Sequence, residues 1–191
     1  MKRNKKPLVS ILMNCHNGEK FLKESLRSVI LQTYKNWELV FWDNKSSDKS
    51  KKILKKFKDK RIKYYYTNRF NTLYKSRQLA IKKCKGDYIA FLDTDDVWLS
   101  NKLEKQINFF LLKKYDFVYS NYYLKDLRNS KKKKSIVYKK LPEGNITSQL
   151  MRHYNIAILT VMFKKKILKK YKLNFNSNYN VIGDYDLFVK L

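Results

Sequence analysis

The chain of 191 residues is predicted to fold as an α/β domain with a mainly parallel central sheet and helices on both of its faces. Three observations predict this. Short apolar runs alternate with amphipathic stretches of helical period. The runs are apolar on successive residues, as in strands covered on both sides. Polar and acidic clusters recur at the ends of these runs, where open parallel sheets bind their ligands.

Pro7 precedes Leu8-Val9-Ser10-Ile11-Leu12-Met13, a run suited to a buried first strand, which Asn17-Gly18 then breaks. Phe21, Leu22, Leu26, Val29 and Ile30 fall near i, i+4, i+8 and predict an amphipathic helix ending near Tyr34. Trp37 to Trp42 reads as the second strand. Ser46-Ser47-Asp48 offers an N-cap for a Lys-rich helix whose inner face is Ile53, Leu54 and Phe57. A third strand follows at Ile62 to Tyr66, then a helix at Leu73 to Cys84. Gly86-Asp87 turns the chain into a strand at Tyr88 to Leu92. A helix from Asn101 to Lys113 and a strand from Asp116 to Tyr119 complete the regular alternation. Beyond it, Tyr122 to Pro142 reads as a polar excursion, Ile156 to Phe163 as a strand, and Asp184 to Leu191 as a helix.

Composition bounds the function. An apolar share of 43% and an aromatic share of 15%, with only 4 Gly and 2 Pro, describe one globular domain with a real core rather than a linker or a disordered tail. Cys15 and Cys84 have no metal-ligand spacing, and neither a secretory leader nor a spanning segment is legible, so a reducing, cytosolic setting is expected. The net charge of +28 arises from 44 Lys+Arg against 16 Asp+Glu. It fits an anionic partner, and it equally fits Lys scattered without a selected face. The Lys131 to Lys134 run reads as a solvated loop tip, and Asn145-Ile146-Thr147 as a chance glycosylation triplet.

The ends of the predicted strands carry the chemistry. They hold Asn14-Cys15-His16-Asn17, Asp43-Asn44 and Asp93-Thr94-Asp95-Asp96, which should converge on one crevice. Three carboxylates within four residues repel one another and raise their own pKa values unless a positive charge intervenes. A hard divalent cation with oxygen ligands would supply it; the plainer alternative is that Asp95 or Asp96 caps the next helix. No Gly-rich phosphate loop, zinc spacing or nucleophile elbow is present, so phosphate would fall to metal and side chains. Gly183-Asp184 reads as a loop entering a helix, with Asp184 either a capping residue or a carboxylate base at a pocket rim.

These blocks resemble, over nearly the full chain, the family 2 glycosyltransferases of the GT-A fold. The resemblance is carried by Pro7 to Asn17, Ser28 to Leu39, Asp43 to Asp48, Gly86 to Asp96 and Gly183 to Leu187, in the family's order. It implies a Rossmann-like GT-A domain spanning 1–191, with a nucleotide-sugar-binding half at 1–119 and an acceptor-side half at 120–191. It also implies roles. Asn14, Cys15, His16, Asn17 and Asp43 would line the nucleotide base, and Arg77 would face the nucleotide. Asp93, with Thr94 beside it, would contact the ribose or metal, and Asp95 would hold Mn²⁺ or Mg²⁺ on the diphosphate. Asp184 would take the proton from the acceptor hydroxyl, giving inversion at the anomeric carbon.

The implied donor is a nucleotide sugar, a UDP-sugar above all, and the acceptor a glycan or lipid-linked hydroxyl, in surface glycan synthesis at an anionic cytoplasmic membrane face. Asn44 and Lys45 stand where the family usually has a second Asp and a Gly, and His16 where Tyr is common. No Gln-x-x-Arg-Trp motif is present, which favours transfer of a single sugar. The chain stops soon after Asp184, which reads as a minimal or truncated enzyme. Two rivals remain: a nucleotide-sugar-binding module without turnover, and a basic nucleic-acid-binding protein. The dispersed charge argues against the second, and no nucleic-acid partner is expected.

Overall fold

A computed structural model describes residues 6–113, 115–125, 133–136 and 141–191. The elements in chain order are β1 (Val9–Cys15), α1 (Leu22–Ile30), β2 (Trp37–Asn44), α2 (Ser50–Lys55), β3 (Ile62–Thr67), α3 (Leu73–Ile81), β4 (Tyr88–Phe91), α4 (Lys102–Leu112) and β5 (Phe117–Val118). They continue with β6 (Tyr122–Lys125), β7 (Lys133–Ile136), α5 (Thr147–Arg152), β8 (Met162–Lys164), α6 (Lys166–Lys170) and α7 (Gly183–Val189). The central sheet has the order β3-β2-β1-β4-β8-β5. β1 runs parallel to β2 and β4, and β2 parallel to β3, while β8 is antiparallel to both β4 and β5.

Both faces of the sheet are covered, and the two-residue period of the strands divides the core. Val9, Ile11 and Met13 of β1 pack with Leu22, Leu26 and Val29 of α1 and with Leu103, Ile107 and Phe110 of α4. Leu12, Val40 and Phe91 point the other way, to Ala80 and Ile81 of α3 and Leu187 and Phe188 of α7. Full burial of side chains this large stabilises by about 1.5–3 kcal/mol each. Two polar residues in this apolar sheet, Ser10 and Glu38, satisfy each other: the Ser10 hydroxyl donates to Glu38 Oε1 at 2.6 Å and accepts from Gly86 N at 2.8 Å. Gly86 must be glycine, because a β-carbon there would lie 2.6 Å from Ser10 N.

The predicted strands and helices through residue 119 are all present, and the differences at their ends have physical causes. α1 stops at Ile30, short of Tyr34, because Gln32 and Thr33 bond outward. Gln32 Nε2 donates to Leu99 O at 2.8 Å, its Oε1 accepts from Leu103 N at 3.0 Å, and Thr33 N donates to Ser100 O at 2.8 Å. Asp48 does bind the start of α2, accepting from Ser50 N at 2.9 Å, although Lys49 occupies the formal cap position.

The C-terminal third departs further. Ile156 to Phe163 is not one strand: Ile158–Thr160 forms a single 3₁₀ turn before β8. Its carbonyls are satisfied from outside, by Trp98 Nε1 on Leu159 O at 2.9 Å and Gln106 Nε2 on Thr160 O at 2.7 Å. With those donors in place, a buried apolar segment needs no ladder. Tyr122 to Pro142 is not wholly an excursion either, since β6 and β7 pair as an antiparallel ribbon. Lys131 and Lys132 of the basic run lie outside the described residues, while Lys133 and Lys134 belong to β7. Among the described residues no helix is long and apolar enough to cross a membrane.

Candidate active site

Parallel strands deliver their ends to one edge. The register pairs Cys15 with Asp43 and Leu12 with Phe91, which brings the loop after β1, the end of β2 and the turn after β4 together. Contact between the first and third is tight. A β-carbon on Gly18 would lie 3.0 Å from the Thr94 side chain and 3.1 Å from Cys15 Sγ. Asn17 and Lys45, in the loops at this edge, adopt positive φ of 53° and 61°. Lys45 meets there the backbone demand that glycine would meet without strain.

The residues predicted to line a nucleotide base are held mainly by the end of β2, the loop after it, and β3. Asp43, 1% exposed, accepts from Ser46 N and from the Tyr64 hydroxyl, each at 2.8 Å. Asn17 Oδ1 accepts from Ser47 N at 2.9 Å, and Asn17 N donates to Ser46 Oγ at 3.0 Å. His16 Nδ1 lies 2.9 Å from Asn44 O, and its exposed ring meets Phe70 edge-on at 4.7 Å. Cys15 differs, because its thiol is buried under Gly18 and burial pushes its pKa up. It is a packing group, and so is Cys84, whose thiol burial drives up to about 12. Asn14 Nδ2 reaches Leu73 O at 3.4 Å, while its buried Oδ1 has no partner among the described residues.

The acidic turn has its own internal counter-charge. Arg77, 3% exposed on α3, donates from one guanidinium nitrogen to both Asp93 oxygens, at 3.0 and 3.1 Å. The guanidinium is therefore turned to Asp93, and its buried Nε has no partner among the described residues. Asp95 is exposed and has no ion-pair or hydrogen-bond partner among the described residues. Asp96 feels the crowding: burial, then the charges of Asp93 and Asp95, push its carboxyl up to about 6. The capping alternative does not hold, since α4 starts at Lys102 behind Asn101 and neither Asp95 nor Asp96 reaches it.

Among the described residues no three His, Cys, Asp or Glu side chains converge as a cage for a metal ion. The donor set still suits a hard divalent cation that takes its remaining ligands from phosphate and water. It offers carboxylate oxygens only, on one turn, with a mutual repulsion that a cation would relieve.

Asp184, from the far end of the chain, meets the same helix α3. It is not a cap: Ile182, at φ 60°, precedes α7, and Asp184 lies within the first helical turn. Its Oδ1 accepts from the Tyr74 hydroxyl at 3.2 Å, and its Oδ2 from the Tyr154 hydroxyl at 3.1 Å. Asp186 bonds Lys190 instead, one turn along the helix. Tyr74 and Arg77 sit one turn apart on α3, and the Arg77 guanidinium lies 5.6 Å from the Tyr74 ring. One helix thus holds the acidic turn through Arg77 and the distant carboxylate through Tyr74. The family resemblance singled out Arg77 and Asp184, whereas Tyr64, Tyr74 and Tyr154, whose hydroxyls bind Asp43 and Asp184, were not singled out. Their only signal is an unusual abundance of tyrosine, 15 residues, which does not single them out.

Comparison with known proteins follows the same lines. The family model described as glycosyl transferase family 2 matches residues 10–180. The chain is 37% identical over 169 residues to an Escherichia coli protein, UDP-Glc:alpha-D-GlcNAc-diphosphoundecaprenol beta-1,3-glucosyltransferase WfgD. That match covers 88% of this chain and 64% of the relative, so the chain spans just under two thirds of that protein's length. Among solved structures, S. aureus TarS superimposes with a TM-score of 0.80 at 22% identity, over 95% of this chain and 54% of TarS. TarS has also been solved with UDP-GlcNAc. A Pyrobaculum calidifontis mannosyltransferase, solved with GDP-Man and Mn²⁺, superimposes at 0.68 with 14% identity, over 92% of this chain and 49% of that one. The six-stranded sheet and the family match agree: the chain belongs to glycosyl transferase family 2 and has the GT-A fold.

Proposed function

We propose that the protein transfers a single sugar, with inversion, from a UDP-sugar to a hydroxyl of a glycan or lipid-linked acceptor in surface-polysaccharide synthesis. One observation carries the reading. The line Asp93–Arg77–Tyr74–Asp184 joins, through one helix, a carboxylate turn suited to a metal-bound diphosphate and a separate, tyrosine-held carboxylate suited to proton transfer. The printed substrates of the E. coli relative, the UDP-GlcNAc complex of TarS and the Mn²⁺ complex of the mannosyltransferase support the donor, acceptor and metal classes.

Residues 1–119 would bind the nucleotide sugar, with Asn14, His16, Asn17 and Asp43 around the base, and 120–191 would serve the acceptor side. Asp93, steadied by Arg77, would meet the ribose or the metal, and Asp95 would hold Mn²⁺ or Mg²⁺. The ion would neutralise the charge that develops on the departing nucleoside diphosphate. Asp184 removes the acceptor proton as that oxygen bonds to the anomeric carbon. The bond from the anomeric carbon to the phosphate oxygen breaks, and its electron pair leaves with the diphosphate. A single displacement inverts the centre.

The test is Asp184→Asn assayed with a panel of UDP-sugars, Mn²⁺ and a synthetic GlcNAc-diphosphate lipid. Transfer is expected to fall at least about 10²-fold, while the thermal shift produced by UDP and Mn²⁺ is retained. Transfer at the parental rate would overturn the reading.

The net charge of +28 supports peripheral attachment to an anionic bilayer, since each Lys near such a surface adds about 1 kcal/mol, screened by salt. Sedimentation with anionic but not neutral vesicles at low salt is the expected result. Equal partition to both vesicle types would refute it.

A further inference from the structure

A carboxylate that accepts a proton from a substrate must hold one lone pair in a fixed direction. Left alone, the terminal torsion of an aspartate is broad. At Asp184 that freedom is removed by two hydroxyls from two separate parts of the chain, one on each oxygen. Their surroundings differ. Tyr74 is 4% exposed, stacked on Phe175 at 5.8 Å and pressed against Gly183, so its ring is part of the core. Tyr154 is 37% exposed, and its ring is held edge-on by Tyr185 at 5.1 Å, on the neighbour of Asp184 itself. Its hydroxyl is thus the one whose main engagement is the carboxylate.

We propose that Tyr154 is a positioning residue for Asp184, fixing the carboxylate plane so that an unshared lone pair meets the acceptor hydroxyl. Burial and the charge of Asp184 both push the Tyr154 phenol pKa upward, so it remains a donor and does not compete for the acceptor's proton. Each carboxylate oxygen accepts one tyrosine hydroxyl and has further lone-pair capacity. The acceptor's proton can therefore be taken without displacing either tyrosine. Tyr74 does the same for the other oxygen while also building the wall behind it. This assignment rests on Asp184 being the base.

The experiment is a double-mutant cycle of Tyr154→Phe and Asp184→Asn, assayed with the UDP-sugar panel, Mn²⁺ and GlcNAc-diphosphate lipid. A crystal structure of the Tyr154→Phe variant accompanies it. Tyr154→Phe is expected to lower kcat about tenfold, the scale of a hydrogen bond to a charged group. Its donor KM should stay at the parental value. In the Asp184→Asn background the same change should cost nothing further, and in the crystal the Asp184 carboxylate should be rotated or disordered. Parental kcat in Tyr154→Phe, or an equal loss in both backgrounds, overturns the positioning role while leaving the base in place. An Asp184→Asn enzyme that transfers sugar at the parental rate overturns the base and this assignment together. An unmoved, ordered carboxylate in the Tyr154→Phe crystal also overturns it, whatever the kinetics.

Discussion

Gly183→Ala puts the packing behind the candidate base to a quantitative test. A β-carbon at position 183 would lie 2.6 Å from Tyr74 Cγ and 2.7 and 2.8 Å from its two Cδ atoms. Carbon atoms in contact prefer about 3.5–4.0 Å, so three ring atoms would each be overlapped by close to an ångström. The ring cannot swing clear, because it is buried, stacked on Phe175 and bonded through its hydroxyl to Asp184. Overpacking of this kind costs about 1–3 kcal/mol. Against it stands the better helix propensity of alanine, about 1 kcal/mol in a helix interior and less at the first position of α7, where Gly183 sits. The steric term wins, and a net loss of about 1–2 kcal/mol is expected. Urea unfolding should show a lower midpoint with an unchanged slope. In a Tyr74→Ala background, where the ring is gone, Gly183→Ala should become neutral or stabilising. A Gly183→Ala protein at least as stable as the parent would refute the argument, and with it the wall that places Asp184.

Three other substitutions test separate parts of the structure. Tyr64→Phe removes a donor from the buried Asp43 carboxylate, so unfolding stability should drop by about 1.5–3 kcal/mol; an unchanged urea midpoint would contradict the bond. Ile182→Gly relieves a β-branched residue at φ 60° whose side chain is 56% exposed. A left-handed residue costs about 1–2 kcal/mol and glycine's extra chain entropy about 0.5–1, so the melting temperature should hold or rise slightly, and a marked fall would show that Ile182 packs. Lys102 donates to Gln106 Oε1 at 2.6 Å over the Trp98 ring, and burial lowers its pKa to about 7. Because the folded pKa lies below the unfolded one, the penalty is full below pH 7 and fades as pH rises toward 10.5. Lys102→Met should therefore be stabilising at pH 6 and progressively less so at pH 9, and a pH-independent difference in urea midpoints would refute the lowered pKa of this half-buried lysine.

What the sequence alone determined is the set of features encoded by neighbours along the chain. Apolar runs such as Val9 to Met13, and amphipathic stretches such as that of α1, state their period within a few residues. Their alternation dictates a parallel sheet and hence the edge on which Asp43, Asp93 and Asp95 lie. The acidic turn was legible for the same reason, since its repulsion is a local fact. Tertiary structure alone decided what those groups touch. Arg77 closes on Asp93 and not on open solvent, Tyr154 reaches Asp184 across 30 positions and Tyr74 across 110. No period or propensity encodes such pairs, because they exist only once α3, α5 and α7 have packed on one face of the sheet. The Ile156 to Phe163 segment makes the same point from the other side. Its composition suits a strand, and it bends into a 3₁₀ turn because Trp98 and Gln106, distant in sequence, supply the hydrogen bonds that a ladder would otherwise have provided.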